Sequence, residues 1–244
     1  MRENFGHGLC VMLRLITFDA CNTLFCVRGS PGELYSEVAW RFDVKLSPKA
    51  LNESFKHAFG EFYKSVPNFG AKVDKTAEKW WSEVVKQTFK SAGFDDEKTV
   101  ARISSTLYNE FSTSSYWQVY PETFDVLEHL RKKGYLLAVI SNFDERLDTI
   151  LEGLYLKSYF DLIVCSFNVG MCKPSPEIFK LVLSNFGMKA EEALHVGDNV
   201  ELDYKPAVSL GFRSLIVDRF SSNYSAAIVN PEHVIKDLKP LMQL

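Results

Sequence analysis

At 244 residues, with 46% hydrophobic and 24% charged side chains and a net charge of -3, the chain has the balance of a soluble globular protein with one large or two modest domains. The slight acidity excludes a general nucleic-acid binder, which needs a basic excess, and no run reaches the roughly 18 apolar residues of a membrane span. The cysteines at 10, 21, 26, 165 and 172 form no C-x-x-C pair, a pattern of reduced cytosolic thiols and not of a disulfide frame or zinc site.

In chain order, the first apolar run is Leu9–Phe18. Arg14 interrupts it and no small-residue cleavage site follows, so it reads as a buried first strand, Met12–Phe18, behind a short disordered tail, and not as a signal peptide. From Phe25 to about Trp117 the pattern changes. Pro31–Val44, Pro48–Ser65, Thr76–Ala92 and Asp95–Phe111 have the spacing of amphipathic helices, with no strand among them. Further on, strand-like runs (Leu136–Ile140, Leu162–Cys165, Ala193–Val196, Ser214–Val217) accompany helical ones (Glu122–Lys133, Glu145–Leu154, Glu177–Phe186, Tyr204–Leu210). Gly134, Gly187 and Gly211 follow helical runs, as helix C-terminal glycines do. The alternation predicts a parallel α/β sheet covered on both faces. The expected organisation is an α/β core from residues 1–25 and 118–244, interrupted by a helical domain over 26–117.

Four short signatures follow apolar strands. Asp19 comes after Leu15–Phe18, which puts its carboxylate at the carboxyl end of a strand, the edge where open α/β sheets bind ligands. Thr23 offers a hydroxyl to a phosphoryl oxygen. Ser141-Asn142 follows the second strand and offers a hydroxyl and a backbone N–H to an anion. Lys173, rigidified by Pro174 and Pro176, can neutralise charge on a transferring phosphoryl group. Asp198 and Asp203, five residues apart after Gly197, suit a hard cation such as Mg²⁺, or one ligates while the other orients Lys173. Taken singly, each also reads as an ordinary turn, surface or helix-start residue.

In order and spacing, Asp19-x-x-x-Thr23, Ser141, Lys173-Pro174 and Gly197-Asp198-x-x-x-x-Asp203 resemble the four motifs of the haloacid dehalogenase (HAD) superfamily. The helical insertion resembles its C1-type cap, so the resemblance implies a Rossmann-like parallel sheet with an all-helical cap that closes over a cleft. It implies a Mg²⁺-dependent phosphohydrolase in which Asp19 attacks phosphorus and water hydrolyses the aspartyl-phosphate. Mg²⁺ would be held by Asp19, the Cys21 carbonyl, Asp198 and Asp203, while Thr23, Ser141, Asn142 and Lys173 hold the phosphoryl group. The expected partner is a small phosphorylated molecule, not a nucleic acid or a membrane. A cytoplasmic monomer or weak dimer is expected, with nucleus and mitochondrion left open.

Cys21 departs from the pattern, because the family's phosphatases carry there an aspartate that protonates the leaving oxygen and then activates water. General acid–base help is typically worth about 10²–10⁴ in rate. Two alternatives follow: a phospho-ligand-binding or regulatory protein with impaired turnover, and a 2-haloacid-dehalogenase type, whose halide leaving group needs no acid. Trp80-Trp81 reads as packing of the helical insertion or as lining of the substrate entrance. His195 reads as a satisfied core histidine. Asp144 and Arg146 read as a helix-start salt bridge or as substrate contacts, and Cys172 as an inert thiol or a second one facing the site.

Overall fold

The computed structural model describes residues 12–73, 76–221 and 228–244; the tail expected before the first strand lies outside them. The chain begins with β1 (Leu15–Phe18) and β2 (Phe25–Val27), then four helices, α1 (Pro31–Trp40), α2 (Pro48–Ser65), α3 (Ala77–Ser91) and α4 (Glu97–Glu110). It returns through β3 (Trp117–Val119), α5 (Thr123–Lys132), β4 (Leu136–Ser141), α6 (Leu147–Gly153), β5 (Leu162–Cys165) and α7 (Ser166–Val169). It closes with α8 (Pro176–Phe186), β6 (Ala193–Gly197), α9 (Lys205–Leu210), β7 (Arg213–Val217) and β8 (Val234–Ile235). No helix is long and apolar enough to cross a membrane.

Six strands form one sheet in the order β5-β4-β1-β6-β7-β8, every neighbouring pair parallel. Such strands are buried on both faces, which is why they read as continuous apolar runs. Alternation along β1 splits the core: Ile16 and Phe18 pack with α5 and α6, while Leu15 packs with α8 and α9. Helices therefore cover both faces, as a Rossmann-like α/β fold requires.

Helices α1–α4 build a separate apolar cluster in which Leu51, Phe89 and Ile103 are fully buried. Their ends are set locally. Ser30 and Glu33 form a reciprocal capping box at the start of α1, and Thr76 caps α3 by accepting from the Lys79 N–H. The expected absence of strands around this segment is corrected by the structure. β2 and β3 pair antiparallel across its two ends, Phe25 opposite Val119 and Val27 opposite Trp117. Three residues are too few to show a period of two, and the partners lie about 90 positions apart, so no local pattern marks them.

Candidate active site

With β1 between β4 and β6, the loops after these three strands emerge side by side at one sheet edge. The Asp19 N–H donates to the Val196 carbonyl, which fixes the first loop against the third. After Asp19 the chain turns tightly: Asn22 takes a left-handed φ of 63°, a conformation asparagine tolerates, and its N–H donates to the Phe25 carbonyl.

Lys173 joins the loops electrostatically. Its Nζ donates to Asp19 Oδ1 at 2.5 Å and to Asp203 Oδ1 at 2.6 Å, and the side chain is almost wholly buried. Asn142 holds the lysine's backbone at both ends, accepting from the Lys173 N–H at 2.7 Å and donating to its carbonyl at 2.8 Å. Asp203 is held in turn: Oδ2 accepts from the Asn199 N–H at 3.0 Å, and Oδ1 faces His195 Nε2 at 3.2 Å. Burial lowers the His195 pKa, so the ring is neutral; an Nε2–H tautomer donates to Asp203 while Nδ1 accepts from the Thr17 hydroxyl at 2.8 Å. Gly197 is required at its position, because a Cβ there would lie 2.3 Å from Asp203 Cγ.

One side-chain oxygen from each of Asp19, Asp198 and Asp203 lies within 4.8 Å of the other two. Burial, together with neighbouring carboxylates and against the pull of Lys173, pushes Asp19 up to about 7; burial and Asp203 push Asp198 up to about 6. Asp203 goes the other way: burial works against it, but Lys173 and His195 hold it below the usual carboxylate range. Lys173 stays charged, since Asp19 and Asp203 outweigh its desolvation. Fully ionised, three carboxylates against one ammonium would leave two negative charges in a buried cluster, an arrangement a hard divalent cation would neutralise. The buried Thr23 hydroxyl has no hydrogen-bond partner among the described residues, which suits a group meant for a ligand oxygen. The residues present therefore fit a cation together with an anionic ligand.

Ser141 ends β4, buried, and its register partner on β5 is Cys165. Cys21 is half-buried; burial, Asp19 and Asp198 all raise its pKa, so it is a neutral thiol. The structure thus gathers Asp19, Lys173, Asp198 and Asp203 directly, with Asn142 bracing the lysine.

A cavity of about 940 Å³ separates these loops from α1–α4. Cys21, Asn22 and Asn142 form its floor, and Phe59, Trp81 and Tyr108 belong to its walls. The two adjacent tryptophans divide the expected roles: Trp80 is fully buried in helical packing, whereas Trp81 lines the cavity and donates Nε1 to Asp144 Oδ2 at 2.6 Å. Asp144 and Arg146 form a buried ion pair at 2.6 Å, and the Arg146 guanidinium also faces the cavity. Cys172 does not line it.

One residue with no motif around it controls the first loop. Arg219 donates to the Asn22 carbonyl at 3.2 Å and the Thr23 carbonyl at 2.7 Å, pairs with Glu122 at 2.8 Å and stacks on Tyr120. A lone arginine after β7 gives no sequence signal of that role.

The family model for haloacid dehalogenase-like hydrolases matches residues 13–211. The chain belongs to the haloacid dehalogenase-like hydrolases. Haloacid dehalogenase-like hydrolase domain-containing protein 3 from Homo sapiens is 40% identical over 207 residues, spanning 85% of this chain and 82% of that protein. Two solved structures share the fold: a 2-haloacid dehalogenase from Pseudomonas syringae (TM-score 0.66, 24% identity) and a HAD phosphatase from Thermococcus onnurineus (TM-score 0.60, 21% identity). Each alignment covers 95% of this chain and 97% of the other. Among haloacid dehalogenase-like hydrolases, then, proteins named for two different reactions share this architecture, and the choice here falls to the side chains.

Proposed function

We propose that this hydrolase is a Mg²⁺-dependent phosphohydrolase in which Asp19 is the nucleophile, α1–α4 act as a cap over the cleft, and Cys21 leaves proton transfer weak. The observation that carries the reading is the cluster of Asp19, Asp198 and Asp203 within 4.8 Å, bridged by buried Lys173. An acidic cluster that needs a dication suits phosphoryl transfer, where charge on oxygen must be neutralised.

Asp19, Asp198 and the Cys21 backbone carbonyl would hold the cation. Both oxygens of Asp203 already carry hydrogen bonds, so we assign it to positioning Lys173. When bound, the cation would withdraw charge from the phosphoryl oxygens. The chain's own residues do the rest. Asp19 forms a bond to phosphorus as the ester bond breaks, and Lys173, Thr23 and Ser141 hold the phosphoryl oxygens. Water then cleaves the aspartyl-phosphate and restores Asp19. Cap closure would shield that intermediate from bulk water.

Halide displacement is the second reading, favoured by the thiol at Cys21, since a halide leaves without a proton. Phosphate release from a phosphoester panel, with and without a chelator and beside Asp19→Asn, separates the readings. Release that needs Mg²⁺ and vanishes in Asp19→Asn supports phosphohydrolysis. Halide release that survives chelation overturns it, and phosphate-ligand binding with no turnover marks a binding protein.

A further inference from the structure

We propose that the substrate is a small aryl phosphomonoester, whose ring enters the cavity bordered by Cys21 and Asn142, in preference to a sugar or other alkyl phosphate. This inference rests on the phosphohydrolase reading and names its substrate class.

The cavity supplies the first argument. Its volume of about 940 Å³ is several times the roughly 150 Å³ that suffices to hold a benzene. The wall is rich in aromatic rings. Phe59 and Phe69 each lie nearly parallel to Trp81, with centroids 5.7 and 6.0 Å away and interplanar angles of 29° and 26°. Tyr35, Tyr108 and Phe111 continue the lining. Flat apolar groups gain from offset stacking on such rings, which outnumber the polar lining side chains, Lys56, Ser104, Gln118 and Arg146 among them.

The second argument is chemical and independent. Where the cavity meets the acidic cluster, the residue that lines it is Cys21, close enough to Asp19 and Asp198 to feel both charges, and it carries a thiol in place of a carboxyl. With Asp19, Asp198 and Asp203 engaged as nucleophile, cation ligand and lysine partner, the leaving oxygen finds a thiol on the cavity side and no carboxyl left to protonate it. A phenol ionises with a pKa of about 10, as tyrosine does, against about 16 for water, which simple alcohols resemble. In the transfer an Asp19 oxygen bonds to phosphorus, the phosphorus–aryl oxygen bond breaks with its electron pair on oxygen, and the aryl oxide takes its proton from solvent. Water then attacks phosphorus, releasing phosphate and regenerating the Asp19 carboxylate. A cavity with aromatic walls and a thiol at position 21 therefore fits a leaving group that is both flat and a stable anion.

The test measures initial rates of the full chain with Mg²⁺ on 1-naphthyl phosphate, glycerol 3-phosphate and acetyl phosphate; the last needs neither acid nor aromatic wall. The naphthyl ester should exceed glycerol 3-phosphate in kcat/KM by at least about 100-fold, the lower end of what a general acid supplies. Phe59→Leu should raise the naphthyl KM by about two- to tenfold, the worth of one aromatic contact. As a readout without turnover, 1-naphthyl phosphate should quench tryptophan emission of the Asp19→Asn protein, since Trp81 and Trp117 line the cavity. Acetyl phosphate hydrolysis with equal rates on naphthyl and glycerol esters would overturn the aryl assignment and leave phosphohydrolysis standing. No hydrolysis of any of the three, with no quenching, overturns both.

Discussion

Asp144→Asn is the sharpest probe of how the helical segment is joined to the sheet. Asp144 lies just past β4, fully buried, and accepts from Arg146 Nε at 2.8 Å, Arg146 Nη2 at 2.6 Å, the Arg146 N–H at 3.1 Å and Trp81 Nε1 at 2.6 Å. Trp81 comes from α3, so one carboxylate ties the helical segment to the core. Arg146 is only 8% exposed, and its guanidinium also stacks on Tyr108 at 4.1 Å. Asparagine keeps the shape but turns one acceptor into a donor facing donors, and it strands a buried cation. Breaking a buried pair on one side costs about 3–5 kcal/mol. That is a large share of the roughly 5–15 kcal/mol that holds a typical domain folded. For a chain of this size each kcal/mol shifts Tm by about 2–4 °C, so the midpoint should fall by about 6–20 °C.

Calorimetry and urea titration would measure it, in a cycle with Arg146→Met. Methionine removes the charge and keeps the apolar stem. The double variant should be less destabilised than the two singles summed, by at least about 1.5 kcal/mol, because neither charge is then left alone. Additivity within about 0.5 kcal/mol would refute the reasoning, since independent sites behave that way.

Three further outcomes follow. Cys21→Asp should raise turnover of alkyl phosphates by about 10²–10⁴ and of aryl phosphates far less, and an unchanged alkyl-to-aryl ratio would sink the missing-acid account. Gly197→Ala drives a Cβ to 2.3 Å from Asp203 Cγ and should cost about 1–3 kcal/mol while displacing Lys173; a thermal melt and phosphate release like the parent's would contradict that. Glu122 is the acid-sensitive group of the loop anchor: burial raises its pKa, but hydrogen bonds from its own backbone and Arg219 outweigh that and lower it. A carboxylate lowered on folding contributes stability that is present above its unfolded pKa and lost as pH falls through the folded one. Urea midpoints should therefore drop more between pH 5 and 3, on the order of the glutamate range, for the parent than for Glu122→Gln, and parallel curves would refute it.

Asp19, Ser141 and Asp198, which the structure sets side by side at one sheet edge, could be singled out because each stands where an apolar run stops. A buried parallel strand runs to the sheet edge, so the first polar residue at its end lies at that edge, where the loops meet. Asp19, Ser141 and Asp198 obey that logic. The four helices α1–α4 were legible from apolar spacing within a few residues of their ends, and α2 over the same span, Pro48–Ser65. What stayed hidden depends on partners far away in sequence. The β2–β3 pair, the Arg219 contacts with Asn22 and Thr23, and the separate duties of Trp80 and Trp81 are decided by tertiary packing that no local window contains. Asp203 looked like a ligand by spacing; its bonds to Lys173, His195 and Asn199 emerge only when β1 and β6 lie side by side.

The thiol at position 21 gains a second meaning from that charge balance. Asp19, Asp198 and Asp203 already outnumber Lys173, and burial pushes two of the three carboxyls up toward neutrality. A fourth carboxyl at position 21 would sit beside Asp19 and Asp198, the same two charges that raise the thiol's own pKa. It would be held protonated by that repulsion, which is what makes an acid useful near neutral pH, and it would weigh on folding whenever no cation offsets the cluster. A thiol avoids that cost and gives up the proton. On the phosphohydrolase reading, the sequence would trade acid catalysis for a less strained acidic cluster, a trade that harms an alkyl ester and spares a leaving group already stable as an anion.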